Sequence, residues 1–246
     1  MTSHTILITG ASRGIGRACA LALARPETRL VLHYHTREIE AKETATLCQK
    51  YGAKTLVVQA DISHSIEVNR LFSQAEEHFS PIDILVNNAG IAVYGQLQDI
   101  TDTEWQNVFA TNVNGMFYCT RRALPAMIAK KWGRIINISS MWGQVGASCE
   151  VLYSATKGAV DAFTKASAKE LIYSGITVNA VSPGVVDTEM LSSLGEDTVR
   201  EIIADIPLAR PLHPKEIALW VSHLAAEEAC AITGQILGIN GGMEIH

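Results

Sequence analysis

The sequence predicts an α/β fold of a single domain, 1–246, built on a doubly wound, seven-stranded parallel sheet with helices on both faces. Three observations predict it. Short apolar segments alternate with longer helical patterns along almost the whole chain, as repeated strand–helix–strand units require. The strands are nearly continuous in apolar residues, as in Ile82-Asp83-Ile84-Leu85-Val86, and a strand without polar alternation is one covered on both faces. The first strand runs into a glycine-rich turn, Thr9-Gly10-Ala11-Ser12-Arg13-Gly14-Ile15-Gly16, that opens a helix.

The elements follow in order. Thr5 to Thr9 is a strand around Ile6-Leu7-Ile8, followed by a helix from Gly14 to Arg25. Arg29 to His33 precedes a helix from Ile39 to Tyr51, and Thr55 to Gln59 precedes one from Ile66 to His78. Ile84 to Asn87 is the fourth strand and leads to a long helical stretch from Thr103 to about Lys130. Arg134 to Ser139 comes next, then a helix from Leu152 to Tyr173, then the strand Thr177 to Ser182. A helix from Pro214 to Leu224 leads to the last strand, Gln235 to Ile239. The interruption at 187–210, with glycine, proline and short helical patterns, suits a mobile flap over a site.

Composition narrows the function classes. The 246 residues are 48% hydrophobic and 18% charged, enough to bury one full core. A net charge of −5 without a basic stripe argues against nucleic acid as a partner. The five cysteines, Cys19, Cys48, Cys119, Cys149 and Cys230, are scattered and lack metal-ligand spacing, which fits a reduced, cytoplasmic chain with no metal site. No apolar run reaches the ~18 residues of a membrane helix, and no signal peptide is seen.

Two motifs carry chemistry. In the Thr9–Gly16 turn, glycines allow a tight bend and close backbone approach, and the helix start offers N–H groups to a pyrophosphate. This is the phosphate-binding turn of a Rossmann fold. Further on, Tyr153-Ser-Ala-Thr-Lys157 sets a phenol and an ammonium four residues apart, on one face of a helix. A cation beside a phenol favours the phenolate and lowers its pKa, which suits acid/base work near neutrality.

With these motifs the chain, from Thr5 to about Gly242, resembles the short-chain dehydrogenase/reductase family. Its motifs stand in the family's order: the Thr9–Gly16 turn, Asp61, Asn87-Asn88-Ala89-Gly90, Asn112, Ser140, Tyr153 with Lys157, and Ser182-Pro183-Gly184. The resemblance implies an NADP-dependent oxidoreductase acting on a ketone or alcohol. It implies that Tyr153 protonates the developing alkoxide, that Ser140 hydrogen-bonds the same oxygen, and that Lys157 holds the nicotinamide ribose. Asn112 would complete a water-linked proton relay ending at Lys157. Ser139 is the rival of Ser140 by adjacency, and the family's spacing of thirteen residues before the tyrosine selects Ser140.

For the cofactor, the resemblance implies contacts from Gly10, Ser12, Arg13, Gly14, Ile15 and Gly16, with Asp61 and Ile62 near the adenine. Asn88, Ala89 and Gly90 would line the adenosine side; Pro183, Gly184, Val186 and Thr188 would line the nicotinamide. NAD-preferring members present an acidic residue just past strand two. Here the tip reads His33-Tyr34-His35-Thr36-Arg37, so Arg13 with His35, Thr36 or Arg37 would surround a 2′-phosphate, and NADP(H) is expected. Neighbouring Glu38 keeps NAD use open.

Within the family the chain is similar to bacterial 3-oxoacyl-[acyl-carrier-protein] reductases of fatty acid biosynthesis, through Arg13, Gly175-Ile176-Thr177-Val178-Asn179 and Asn240-Gly241-Gly242. Those reductases commonly carry an arginine just before that Gly-Ile-Thr-Val-Asn stretch, to meet the acidic carrier. Ser174 stands there, while Lys130, Lys131 and Arg134 are expected to keep a basic cluster nearby. The loop from Met141 to Glu150 resembles instead that of reductases acting on 5-aminopentanone attached to elongation factor P. Trp142 adds bulk, and Glu150 either pairs with a substrate ammonium or caps the Tyr153 helix. Cys149 is expected to be only a small residue. A broad small-ketone reductase, an alcohol dehydrogenase and a cofactor-binding sensor without turnover are the other readings. The resemblance further implies a homotetramer; Phe163, Ala166, Ala168, Leu171, Trp220 and Leu224 offer either contact surface or core.

Overall fold

The computed structural model describes residues 3–192 and 195–245. Strands β1 (Thr5–Ile8), β2 (Arg29–Tyr34), β3 (Lys54–Gln59), β4 (Ile84–Asn87), β5 (Gly133–Ile138), β6 (Ile176–Pro183) and β7 (Ile236–Ile239) form one sheet in the order β3-β2-β1-β4-β5-β6-β7. All six pairings are parallel. The doubly wound sheet expected from sequence is therefore present, and its order reverses between β1 and β4, where a crevice opens beyond the strand ends.

Period-two alternation sends side chains to both faces. Ile6 and Ile8 of β1, Ile84 and Val86 of β4, and Ile136 and Ile138 of β5 enter one core with α1 (Gly14–Leu23). Leu7, Leu85 and Ile135 enter the opposite core with Val68, Leu71 and Phe72. The intervening helices are α2 (Glu38–Lys50), α3 (Ser65–His78), α4 (Asp102–Phe109), α5 (Gly115–Lys130), α6 (Trp142–Val145), α7 (Val151–Leu171), α8 (Glu189–Ser192), α9 (Glu196–Ala204) and α10 (Pro214–Ala225).

The long helix expected from Thr103 to Lys130 is not continuous. Ala110–Asn114 forms a π turn between α4 and α5, with the Gly115 N–H reaching back to Ala110 O. Such wide turns often mark functional positions, and this one carries Asn112. In the expected flap, residues 193 and 194 lie outside the described residues, and the rest carries α8 and α9.

The expected surface basic cluster is corrected. Arg134 is buried, donating to the carbonyls of Gly133 at 2.9 Å and of Ala226 and Glu227 at 3.3 Å each. Lys130 is drawn 2.5 Å from Asp83 Oδ1. Lys131 alone of the three remains exposed without such an engagement among the described residues. Ala168, Leu171 and Leu224 lie in the core, whereas Ala166 and Trp220 face outward. All five cysteines are free thiols.

Candidate active site

The glycine turn is held open by its neighbours. Asn88, just past β4, donates from Nδ2 to Thr9 O at 2.8 Å and Gly10 O at 3.0 Å, while Thr9 Oγ1 accepts from the backbone of Asn88 and Ala89. His33 of β2 accepts from the Gly10 N–H at Nδ1, 3.1 Å away, and its Nε2 lies 2.9 Å from Ala60 O. That pairing puts the ring proton on Nε2. Burial drives the His33 pKa down to about 4, so the ring is neutral. Gly16 sits so close that a Cβ there would fall 2.1 Å from Gly10 O.

The turn opens onto a cleft of about 1610 Å³, larger than the ~300–1,000 Å³ common for small ligands and roomy enough for a dinucleotide with a substrate. Every site residue expected from sequence lines it except Asn112. Arg13, at the start of α1, and Arg37 both pair with one oxygen of Glu189, Arg37 at 3.3 Å. Two guanidinium groups thus converge on an anion. Glu38 pairs with Lys42 along α2 at 2.6 Å. Asp61 accepts from Ser63 N at 2.9 Å and Ser63 Oγ at 2.7 Å; partial burial pushes its carboxyl up, and these bonds more than offset that. Val186 bridges to Leu212, and Thr188 stands 3.4 Å from where a Cβ on Gly14 would lie.

At the other end of the cleft are Ser140, Tyr153 and Lys157. Tyr153 and Lys157 share a face of α7, which packs closely on the loop after β5: a Cβ at Gly143 would lie 2.7 Å from the Lys157 carbonyl carbon. Ser140 Oγ accepts from Trp142 N at 3.2 Å and stands beside the Tyr153 hydroxyl, where it acts to lower the pKa of the phenol. Ser139 points elsewhere, donating to Lys157 O at 3.4 Å. The Lys157 ammonium donates to Ile138 O at 2.7 Å and lies 5.4 Å from the Tyr153 ring centre.

These distances correct the expected electrostatics. Burial and then the Glu150 charge push the Tyr153 pKa up, opposed by the Ser140 hydroxyl; the direction stays upward with the Lys157 ammonium 5.4 Å from the ring centre. The ammonium itself is brought down to about 8 by burial, with the Asp161 carboxylate acting the other way. A phenol held protonated is a proton donor throughout the neutral range.

Glu150 occupies the N-cap position of α7, yet its side chain makes no cap hydrogen bond. It lines the cleft with Trp142 and Tyr94 instead, and burial raises its pKa. The carboxyl therefore makes no hydrogen-bonded cap. The Asn112 side chain is held in place at the π turn: Oδ1 accepts from Ile91 N at 2.8 Å, and Nδ2 donates to Ile91 O at 2.8 Å and Thr156 Oγ1 at 3.1 Å.

Sequence reading missed three contributors. His33 reads as a strand residue, Tyr94 stands in a loop without a motif, and Glu189 lies 152 positions from Arg37. Only the tertiary fold joins them. Among the described residues no cluster is suited to a metal and no helix is long and apolar enough to cross a membrane.

Comparison with known proteins agrees with this geometry. The short chain dehydrogenase family profile matches residues 4–199. The chain is 44% identical over 241 residues to an uncharacterized oxidoreductase, YmfI, of Bacillus subtilis, covering 98% of each. It is 41% identical over 244 residues to a 3-oxoacyl-[acyl-carrier-protein] reductase of Synechocystis, covering 99% of this chain and 98% of the other. It is 38% identical over 241 residues to the Staphylococcus aureus 3-oxoacyl-[acyl-carrier-protein] reductase FabG, covering 98% of each.

Proposed function

From the premise that this chain belongs to the short-chain dehydrogenase/reductase family, we propose that it catalyses the NADPH-dependent reduction of a ketone to a secondary alcohol. The observation that carries the proposal is the meeting of Ser140, Tyr153 and Lys157 in one cleft, where burial favours the protonated Tyr153 phenol. Bound NADPH supplies a hydride. Tyr153 gives its proton to the carbonyl oxygen, Ser140 stabilises the same oxygen as charge builds on it, and Lys157 holds a positive charge behind the phenol.

The cradle suits a phosphorylated dinucleotide. Gly10 and Gly16 leave room for backbone to approach a pyrophosphate, and Glu189 between Arg13 and Arg37 stands in for the 2′-phosphate. Glu38, turned to Lys42, offers no carboxylate to a ribose in its place. Arg13 and Arg37 would have to release Glu189 to hold a 2′-phosphate. An exposed pair of this kind is worth about 1 kcal/mol at most, so Glu189→Gln is expected to tighten NADPH binding up to about fivefold. Fluorescence titration measures this; weaker binding in the variant would contradict it.

The substrate is proposed in two forms. The names of the Synechocystis and S. aureus relatives point to a 3-oxoacyl chain on acyl carrier protein, and that substrate would set the chain in fatty acid synthesis in the cytoplasm. The uncapped Glu150 carboxyl in the cleft favours a ketone that bears an ammonium group, as 5-aminopentanone on elongation factor P does. Loss of the basic cluster to Asp83 and to the interior favours it too. A carboxylate–ammonium bond is worth about 1.5–3 kcal/mol. Glu150→Gln is then expected to raise KM for the amine-bearing ketone about 10- to 100-fold and leave acetoacetyl-acyl carrier protein unaffected. An equal loss on both substrates, tracking a fall in Tm, would sink the amine reading. A homotetramer remains the proposed assembly, by family resemblance.

A further inference from the structure

At the substrate end of the cleft two loops are drawn together. One follows β4 and the other joins α6 to α7, and the Gly95 N–H of the first donates to the Cys149 carbonyl of the second at 2.9 Å. Cys149 adopts a left-handed backbone, φ 61°, which non-glycine residues seldom do and which turns the chain sharply just before Glu150. The bond thus brings together the neighbours of its two ends, Tyr94 and Glu150, and both line the cleft.

The charge in this corner has one sign. The Tyr94 pKa is raised, first by the Cys149 thiol beside its hydroxyl, then by desolvation, and then by the carboxylates of Glu150 and of Glu201 on α9. Both carboxylates therefore stand within electrostatic reach of the Tyr94 side chain. The cations that line the cleft lie elsewhere: Arg13 and Arg37 precede α1 and α2, Arg17 is in α1, and Lys215 is in α10, which packs on α1. Among the described residues only Lys157 lines the reacting end, and its ammonium is engaged with Ile138 O. Tyr94 is 57% exposed, so an aromatic face is left open in an acidic corner. The face of such a ring carries the negative part of its quadrupole, and a carboxylate beside it draws a cation to the same place.

We propose that Tyr94 is a specificity-determining residue: its ring face and the Glu150 carboxylate form two walls of one subsite for a cationic group carried by the substrate, with Glu201 of α9 adding negative charge. The inference rests on the amine-bearing form of the reductase reading and assigns a second recognition element to it. The two walls discriminate by charge. A neutral chain can pack against the ring but gains nothing from its quadrupole or from the carboxylate, whereas a cation of the same shape gains from both.

The test uses two methyl ketones of one shape, one ending in a trimethylammonium group and the other in a tert-butyl group. Calorimetry measures their binding to protein loaded with NADP+, which can reduce neither. The unmodified chain is expected to bind the cationic ketone more tightly. Tyr94→Leu is expected to weaken that binding about two- to fivefold, the range for a cation over an exposed ring, and to leave binding of the tert-butyl ketone in place. Tyr94→Phe keeps the ring and is expected to bind both ketones as the unmodified chain does. In turnover with NADPH the loss in Tyr94→Leu falls on KM and not on kcat, because Ser140, Tyr153 and Lys157 are untouched. No loss in Tyr94→Leu, an equal loss on both ketones, or the same loss in Tyr94→Phe overturns the role of the ring, while a cation preference in the unmodified chain keeps the amine reading standing. Absence of that preference in the unmodified chain removes the amine reading and the subsite with it. Because binding needs no turnover, a chain that reduced neither ketone would still show whether Tyr94 reads charge.

Discussion

Tyr153→Phe is expected to lower kcat for ketone reduction about 10²- to 10⁴-fold, the usual contribution of a positioned proton donor, while NADPH binding changes less than about threefold. The substitution removes one oxygen. Its ring stays packed on α7, and Lys157 keeps its bond to Ile138 O, so a collapse of the fold is not expected. Single-turnover oxidation of NADPH measures the step directly. The raised phenol pKa also fixes a sign. Reduction consumes the protonated form, which is dominant throughout the neutral range, whereas alcohol oxidation needs the phenolate and is expected to climb steadily as pH rises above 7. Undiminished turnover in Tyr153→Phe would remove the residue from the mechanism.

Gly16→Ala is expected to be equally severe by another route. The added carbon would stand 2.1 Å from Gly10 O and 2.6 Å from Asn88 Nδ2, well inside any contact distance. Backbone and the Asn88 amide must both retreat, and with them go the bonds from Asn88 to Thr9 O and Gly10 O that shape the phosphate turn. Burial of a clash on this scale costs about 1–3 kcal/mol in stability. NADPH affinity is expected to fall at least about 100-fold, read by calorimetry on folded variant protein. Binding within a few-fold of the unmodified chain would show that the turn does not cradle the cofactor.

The sheet and the glycine turn were legible because each is written locally. Ile6-Leu7-Ile8 is short, β-branched at both ends and bounded by a glycine turn, which reads as a doubly covered strand, and the residues after it have the composition of a phosphate turn. The Tyr153 and Lys157 pair was legible for the same reason, since four residues along a helix settle their common face. Their electrostatics were not, because the sign of the Tyr153 shift depends on burial and on the distance to Lys157, neither of which spacing reports. The π turn at Ala110–Asn114 was not legible because the one extra residue of a single wide turn shifts the helical pattern too little to mark it. Arg134 reads as a surface cation until the carbonyls at Ala226 and Glu227, about ninety residues away, are seen to enclose it. The Glu189 contact with Arg13 and Arg37 is likewise a product of the fold.

The most direct test of the central claim is oxidation of NADPH by the purified protein on elongation factor P carrying 5-aminopentanone, set beside acetoacetyl-acyl carrier protein and with NADH as the control cofactor. NADPH loss matched mole for mole by secondary alcohol, faster than with NADH, is the predicted result, with the amine-bearing ketone preferred. Tight NADPH binding without turnover of either ketone, or of any small ketone, would contradict it and leave a protein that senses the cofactor rather than spends it.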